Sequence, residues 1–455
     1  MKTGIVKPID IRKVMRFDGS YHLADSQIYE KLIYSQKWQP LSALTSSIFT
    51  SGRNKRMYTA PQYGYPFLSN SDVVSANPFS TCKYDSIKYN HDPSGFLKEG
   101  MIVTGRVGAI GQTAFISRQF EEKKAIGSDN IIRIVCKPDV RKGYVYAFLT
   151  SRIGNLMFWK HSTGGVQPYI TDKMVADIPV PVFPEEMQKE IDTLIRNAAA
   201  LRDRAAELLS ECISEIEAKL QPQLTHKRTG RVSIKNINNS HNSRFEANYH
   251  ISDGSEVDKY IRENFEWKSL SDVCLSISRP DIFKRYYVQN GIPFLGGSDI
   301  FLAIPDGGKY LSKTKTSNIP ALKVENGWIL MPRSGTIGNV VLSHDGHAQK
   351  LVSEHVIRLV PNDILRGGYV YAFLSSALGK ALIQRPIFGA VIQHVESPHL
   401  SRIPIPILQD DLMDSIHERI MTHKDCLSEA CKKELRAISM IEAEIESWDK
   451  NKSKK

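Results

Sequence analysis

The chain has 455 residues, 41% apolar and 24% charged. That is the balance of an ordinary folded protein and excludes a disordered, collagen-like or small disulfide-stapled chain; at roughly 150 residues per domain, about three units or two large ones are expected. Sixty Lys and Arg stand against 49 Asp and Glu, and the surplus of +11 suits a partner that carries phosphates.

In chain order, the first half is written again in the second. Arg16-Phe17-Asp18-Gly19-Ser20-Tyr21-His22 returns as Arg244-Phe245-Glu246-Ala247-Asn248-Tyr249-His250, an offset of 228. Trp38, Leu41-Ser42, Lys55-Arg56 and Tyr58 return as Trp267, Leu270-Ser271, Lys284-Arg285 and Tyr287, offset 229. Pro66-Phe67-Leu68, Ser71-Asp72, Arg106, Gly108, Ile110 and Gly111 return at offset 227 as Pro293-Phe294-Leu295, Ser298-Asp299, Arg333, Gly335, Ile337 and Gly338. Gly143-Tyr144-Val145-Tyr146-Ala147-Phe148-Leu149 and Ile178-Pro179 return at offset 225 as Gly368-Tyr369-Val370-Tyr371-Ala372-Phe373-Leu374 and Ile403-Pro404. Chance does not produce an ordered series of this kind, so the chain is a tandem duplication with small loop changes.

Each half opens on short strands between turns. Residues 101–103 and 328–331 are strand-like runs after Gly100 and Gly327, and residues 131–135 match 356–360 as a second strand. Residues 144–151 and 369–376 read as helices opening after Gly, and prolines at 179–184 and 404–406 close each module. Tyr58 and Tyr287 read as core.

A long helix then follows in each half. After Pro184, apolar residues fall at Met187, Ile191, Leu194, Ala198, Leu201, Ala205, Leu208 and Cys212, a heptad seam. The second copy has Leu412, Ile416, Ile420, Leu427, Cys431, Leu435, Ile438, Ile441 and Ile445. A seam this long and narrow is expected to pair with its own duplicate. Ile191, Leu194, Leu201, Leu208, Ile416, Ile420, Leu427 and Ile438 are the candidate partner-binding positions. The expected organisation is a first module at 1–184, a helix at 185–225, an exposed linker at 226–243, a second module at 244–409, a helix at 410–449 and a basic tail at 450–455. The fold class is α+β: two tandem α/β modules, each followed by a long helix, with the helices paired as an antiparallel coiled coil of pseudo-twofold symmetry.

Catalytic motifs are missing. Gly100-x4-Gly105 continues as Arg106-Val107 where a phosphate loop needs Lys-Ser/Thr. Glu121-x-Lys123 with Asp92 could mimic a nuclease metal site, but the second half has no matching acid–x–Lys. Asn77-Pro78-Phe79 lacks the second proline of an amino-methyltransferase motif. The 13 His form no HxxxH or HExxH pair, and Cys82, Cys136, Cys212, Cys274, Cys426 and Cys431 form no CxxC. No catalytic residue, metal site or bound cofactor is expected. No apolar run reaches the roughly 18 residues that span a bilayer, and residues 1–7 hold no signal core. A cytoplasmic location without a membrane partner is therefore expected.

The arrangement resembles the specificity subunit of type I restriction–modification systems. Leu41-Ser42-Ala43-Leu44 and Leu270-Ser271-Asp272-Val273 match the opening strand of a target recognition domain. Gly64-Tyr65-Pro66-Phe67-Leu68 and Gly291-Ile292-Pro293-Phe294-Leu295, each followed by Ser-Asp, match its next stretch. Arg106-Val107-Gly108-Ala109-Ile110-Gly111 and Arg333-Ser334-Gly335-Thr336-Ile337-Gly338 match its R-x-G-x-x-G turn. Thr163-Gly164-Gly165-Val166-Gln167, aligned with Phe388-Gly389-Ala390-Val391-Ile392-Gln393, and the proline exit complete the pattern over nearly all the chain, twice. The resemblance implies a DNA reader without catalysis of its own. It would hold two adenine methyltransferase subunits, with motor–nuclease subunits in restriction complexes. A type IIB-like system, with one fused restriction–modification subunit, fits equally. S-adenosylmethionine, Mg²⁺ and ATP would belong to those partners. The alternatives are a standalone nuclease or methyltransferase with a degenerate site, and a nucleic-acid-binding coiled-coil scaffold.

Two modules joined by paired helices act as a ruler on double-stranded DNA, with two read blocks around an unread spacer. Positions shared by the halves serve folding, docking or phosphates, and positions that differ can read bases. Lys55, Arg56, Arg106 and their copies Lys284, Arg285, Arg333 are the shared cations. Ser69 and Asn70, Gln112 against Asn339, and His161 are differing polar positions able to meet base edges. Arg53, Gln167, Arg279, Ser298 and Gln393 complete the candidate DNA contacts. Segments 74–96 and 301–323 diverge most and are candidate reading loops.

Overall fold

A computed structural model of the protein describes residues 6–17, 19–22, 26–53, 55–89, 91–108, 110–164, 166–220, 246–362 and 366–452. The expected linker at 226–243 and residues 453–455 of the tail lie outside them. The chain folds as two compact units, Met1–Asp203 with Glu429–Lys455, and Arg204–Ser428.

In the first unit the strands are β1 (Trp38–Pro40), β2 (Thr45–Thr50), β3 (Tyr58–Thr59), β4 (Gly64–Leu68), β5 (Lys83–Ser86), β6 (Ile102–Gly105), β7 (Thr113–Phe115), β8 (Ile126–Gly127), β9 (Ile131–Cys136) and β10 (Pro179–Pro181). They form sheets ordered β2-β9-β6-β7 and β3-β5-β4-β8, and a ribbon β1-β10. The pairing of β4 with β8 is parallel. β6 is buried throughout and β9 nearly so, because the first sheet is covered on both faces. Ile102, Ile132 and Ile134 pack with the helix Lys142–Thr150, while Val103 and Ile131 pack with Leu68, Leu97 and Phe120 on the other side. Gly143 through Leu149 are all buried.

The second unit repeats this strand for strand. Its elements are β11 (Trp267–Ser269), β12 (Cys274–Ser278), β13 (Tyr287–Val288), β14 (Ile292–Leu295), β15 (Tyr310–Leu311), β16 (Ile329–Pro332), β17 (Val341–Leu342), β18 (Leu351–Val352), β19 (Val356–Pro361) and β20 (Pro404–Pro406). The orders are β12-β19-β16-β17, β13-β15-β14-β18 and β11-β20. Even the irregularities recur: a register shift between Thr45 and Ser47 matches one between Cys274 and Ser276, and β14 pairs with β18 in parallel.

Two local expectations are corrected. Leu41–Leu44 is a single helical turn, not an opening strand, and residues 270–273 are likewise turn. The chain leaves the β1-β10 ribbon there to enter a different sheet, so the backbone must bend, with Leu41 and Leu270 buried as anchors. Tyr58 and Tyr287 are about half exposed, at 48% and 53%. Both sit on short edge strands, where one ring face stays in water; Lys83 Nζ stands 4.6 Å from the Tyr58 ring.

The long helices Glu185–Leu220 and Asp410–Lys452 each contribute to both units. The second runs on into the segment expected as a tail. They lie antiparallel within each unit. In the first unit Phe183 meets Trp448 at 5.7 Å while Arg202 meets Glu434. In the second, His423 Nδ1 donates to the Ala205 carbonyl at 2.7 Å while Arg419 meets Glu215. The modules approach the long helices closely at glycine. A Cβ on Gly143 would sit 2.9 Å from Asp192 Cα, and one on Gly368 2.9 Å from the His417 carbonyl. Bare backbone lets Gly143 N donate to Asp192 Oδ1 at 2.7 Å and Gly368 N to His417 Nδ1 at 3.1 Å.

The seam residues are used inside the chain. Ile191, Ile416 and Ile420 are fully buried in the cores of their own units, Leu208 and Leu427 nearly so, and Leu194, Leu201 and Ile438 are half-buried. A further subunit cannot reach the buried ones, because the helices press this face onto their own modules. Leu435 points outward at 44% exposure. Among the described residues, no helix is long and apolar enough to cross a membrane.

Two predictions follow from buried polar groups. In the first unit Tyr146 and Arg202 both donate to the buried carboxylate of Glu434. Glu434→Ala removes the charge that faces Arg202 and is expected to cost about 3 kcal/mol, read as a lower urea midpoint; a loss below about 1 kcal/mol contradicts this.

In the second unit burial pushes His347 and His423 down to about 4. His347 Nε2 donates to the Ile300 carbonyl at 2.9 Å and its Nδ1 accepts from His344 N at 3.3 Å, a neutral tautomer with both nitrogens used. An unfolded histidine titrates near 6.5, so between pH 6.5 and 4 the unfolded chain binds more protons. Stability from these groups is full above about pH 6.5 and falls as the pH drops toward 4. The urea midpoint should fall between pH 7.5 and 5.5, and less steeply in His423→Gln.

Candidate nucleic-acid interface

The site is built outward from one buried cation. Arg133 on β9 is completely buried, and its guanidinium donates to the carbonyls of Gly95 at 3.0 Å, Gly127 at 2.5 Å, Ser128 at 3.3 Å and Ile131 at 2.8 Å. Burial pushes its pKa down to about 10, still charged at neutral pH. These bonds fix the bend at 128–130 between β8 and β9. Ser128 N donates to the Leu68 carbonyl at 2.9 Å, and Arg106 N to the Asn130 carbonyl at 2.8 Å. The turn at 106–111 is thereby held beside the end of β4. Asn70 Nδ2 reaches the Val107 carbonyl at 3.3 Å, and Ile170 N reaches the Arg106 carbonyl at 3.0 Å. Four segments thus meet on one rim: 69–73, 106–111, 128–130 and a hairpin at 163–169.

The second unit builds the same rim with the same backbone bonds. Ser353 N donates to the Leu295 carbonyl at 3.0 Å, Arg333 N to that of His355 at 2.7 Å, and Val395 N to that of Arg333 at 3.0 Å. Arg358 on β19 takes the role of Arg133, donating to the Ala321 carbonyl at 2.6 Å.

The candidate cations divide into engaged and free. Asp129 sits on the bend and pairs with Arg53 at 3.2 Å and with Arg56. Arg56 also lies over Phe67 at 4.8 Å. Its copy Arg285 pairs with Glu354 at 2.5 Å and lies over Phe294 at 5.3 Å. Lys55 is exposed, and Lys284 Nζ stands 5.1 Å from the Tyr286 ring. Arg333 donates through Nε to Glu396 Oε1 at 2.8 Å, and Arg279 Nε meets Glu396 Oε2 at 3.3 Å; the two cations hold that carboxyl below its usual range against the opposing cost of burial. Thr171 occupies the equivalent place in the first unit, as the N-cap of Asp172–Ala176. Arg106 therefore has no ion pair among the described residues.

The polar candidates divide in the same way. Ser69 Oγ donates to Asp72 Oδ2 at 2.6 Å, and Asn70 Oδ1 is buried without a hydrogen-bond partner among the described residues. Ser298 Oγ meets Asp299 Oδ1 at 3.4 Å, and Asn339 Nδ2 the Thr336 carbonyl at 3.3 Å. Gln112, Gln167 and Gln393 are exposed. His161 is turned inward against Tyr21 at 6.0 Å. Burial, then the charges of Lys160 and Arg16, pushes it down to about 4, so it is neutral.

The hairpins correct one alignment. Thr163 and Tyr169 exchange backbone bonds at 2.9 and 2.8 Å, and Phe388 and His394 do so at 3.0 and 2.8 Å. Both loops span the same number of residues. Gln167 therefore aligns with Ile392, and Gln393 falls at the place of Pro168.

Sequence reasoning missed Asp129, Glu354, Arg133, Arg358 and Glu396. The first four were open to it. Gly127-Ser128-Asp129 against Val352-Ser353-Glu354 keeps Ser-acid at offset 225, and the strand repeat already held Arg133 and Arg358. Glu396 has no copy and left no such signal. The acids of the nuclease-like triplet serve the backbone: Glu121 accepts from Glu99 N at 2.9 Å and Asp92 from Gly52 N at 2.8 Å. Among the described residues, no three His, Cys, Asp or Glu side chains gather as a metal site.

Residues 262–418 match the family model described as "Type I restriction modification DNA specificity domain". Comparison with curated protein sequences gives no match. Among solved structures, the type I restriction-modification S subunit from M. genitalium is 12% identical, with 90% of this chain and 95% of that chain covered and a TM-score of 0.31. The HsdS subunit from Thermoanaerobacter tengcongensis is 14% identical, with 90% and 96% covered and a TM-score of 0.28. Residues 262–418 are thus similar to a type I restriction–modification DNA specificity domain, and the first half repeats that domain in sequence and strand order.

Proposed function

We propose that the chain reads a bipartite double-stranded DNA target, one short block per module around an unread spacer, for a restriction–modification complex in the cytoplasm. The observation that carries this reading is the rim built twice, with like main-chain frames and unlike exposed side chains. Shared frame groups set register on the phosphates, and differing side chains meet base edges. Catalysis lies with partners: two adenine methyltransferase subunits, or one fused restriction–modification subunit, with motor–nuclease subunits where cleavage occurs. Those subunits would hold S-adenosylmethionine, Mg²⁺ and ATP. Their docking surface on the helices has to use faces other than the buried seam.

The test is to purify the chain with its native partners and map methylated adenines by sequencing, with and without an intact gene for this chain. A two-block motif that disappears with the chain supports the reading. A single contiguous motif, or methylation indifferent to the chain, overturns it.

The rim also predicts unequal cations. A phosphate contact contributes about 0.9 to the slope of log K against log salt. Arg106→Ala is expected to lower that slope by about this much, whereas Arg333→Ala, already neutralised by Glu396, should lower it less. Glu396→Gln should tighten non-specific binding by releasing Arg333 and Arg279. Salt titrations of duplex binding measure all three; equal slope changes for the two arginines contradict the assignment.

A further inference from the structure

Each unit carries a hairpin whose tip is apolar and stands in water. Val166 is fully exposed at 103% and Val391 at 96%, with Ile392 beside it at 63%. A single exposed apolar residue needs no explanation. Here the same residue type recurs at the same place in two copies, on a loop that is not loose. The base of each loop is closed by paired backbone bonds and joined to the turn at 106–111 or 333–338 through the bridges Val107–Tyr169 and Ser334–His394.

A glycine aims the tip. Gly164 and Gly389 have φ of +100° and +99°, a region that side chains rarely adopt. A Cβ there would meet the carbonyl oxygen of Gln167 at 2.8 Å or of Ile392 at 2.4 Å. The bare glycine lets the backbone of residue 167 or 392 fold back over it, which fixes where that side chain leaves the loop. At this one position the frame is shared and the chemistry is not: an exposed amide in one copy, an exposed branched hydrocarbon in the other.

We infer that the hairpin tips enter the DNA groove and that residues 167 and 392 read different bases there, Gln167 an adenine and Ile392 the 5-methyl group of a thymine. The inference rests on the reading of the chain as a DNA-specificity component. An amide can bond adenine N6 and N7 together, and the thymine methyl is the apolar feature a duplex shows to a hydrocarbon side chain. The hairpin is bonded to the backbone of Arg106 in one unit and Arg333 in the other, so a phosphate contact by Arg106 brings its tip to the bases. A tip that docked the same partner protein in both modules would keep residue 167; exchanging it while keeping Val166 and the glycine is what two readers require.

The test uses the full chain with its native partners and a duplex carrying its mapped target. Thymines are replaced one at a time by deoxyuridine, which removes only the methyl group, and adenines by 7-deazaadenine, which removes only N7. One thymine should weaken wild-type binding about four-fold, the worth of one buried methyl. Ile392→Ala should be indifferent to that replacement, while Ile392→Val, still a hydrocarbon, should remain sensitive. One adenine in the other block should respond in the wild type and not in Gln167→Ala. Sensitivity that persists in Ile392→Ala, or a target in which every thymine methyl is silent, overturns the inference. If no bipartite duplex binds at all, the functional reading itself fails, which is a separate result.

Discussion

A guanidinium buried under a β-sheet organises each module. Removing Arg133 from water is costly, and the cost is met because several main-chain carbonyls converge on it. Those carbonyls belong to β8, to the bend after it, to the first residue of β9 and to the turn Pro93–Gly95. One cation therefore ties the edge of the second sheet to the middle of the first. The bend is the platform on which Asp129 stands and to which the backbone of Arg106 is bonded. An apolar side chain at this position could fill the space but would leave the carbonyls unanswered. The same logic recurs at Arg358 with different carbonyls, so the device matters more than the loop it serves.

Comparing the copies changes the meaning of a shared residue. Arg56 and Arg285 recur because each meets a carboxylate and an aromatic face in its own module, which makes them part of the frame. The shared Arg106 and Arg333 look alike in sequence, yet Glu396 stands as a counter-ion against only one of them. Identity between copies marks a common geometric need. It does not say whether the side chain is spent inside the protein or offered outward.

Much of the fold was legible because its signals are local or repeated. The runs at Ile102 and Ile131, the Gly-Tyr-Val-Tyr helix and the heptad helices all appear where their patterns placed them. The turn at Leu41–Leu44 was not legible, since two leucines flanked by small residues carry no sign that the chain is changing sheets. Tyr58 failed because an aromatic residue in a short strand does not reveal which strand is an edge. The seam was visible as a period, but a period cannot say whether the buried side belongs to another subunit or to the chain's own module. The site was legible only in part: its turn and glycines stood out, whereas the acids that engage the arginines come from distant segments.

The division of each long helix has a consequence for how the protein is made. The core of the first unit contains Ile191 and Ile195 together with Ala437, Ile441 and Ile445. The second unit, Arg204–Ser428, is an insertion between those two groups. A ribosome adding roughly 5–20 residues per second therefore completes the whole inserted unit before the final strip of the first core emerges, an interval on the order of tens of seconds. During that time the module made first waits with an apolar face uncovered, and the module begun second is the first that can close. The two cores can therefore be completed only in the reverse of the order in which their modules begin.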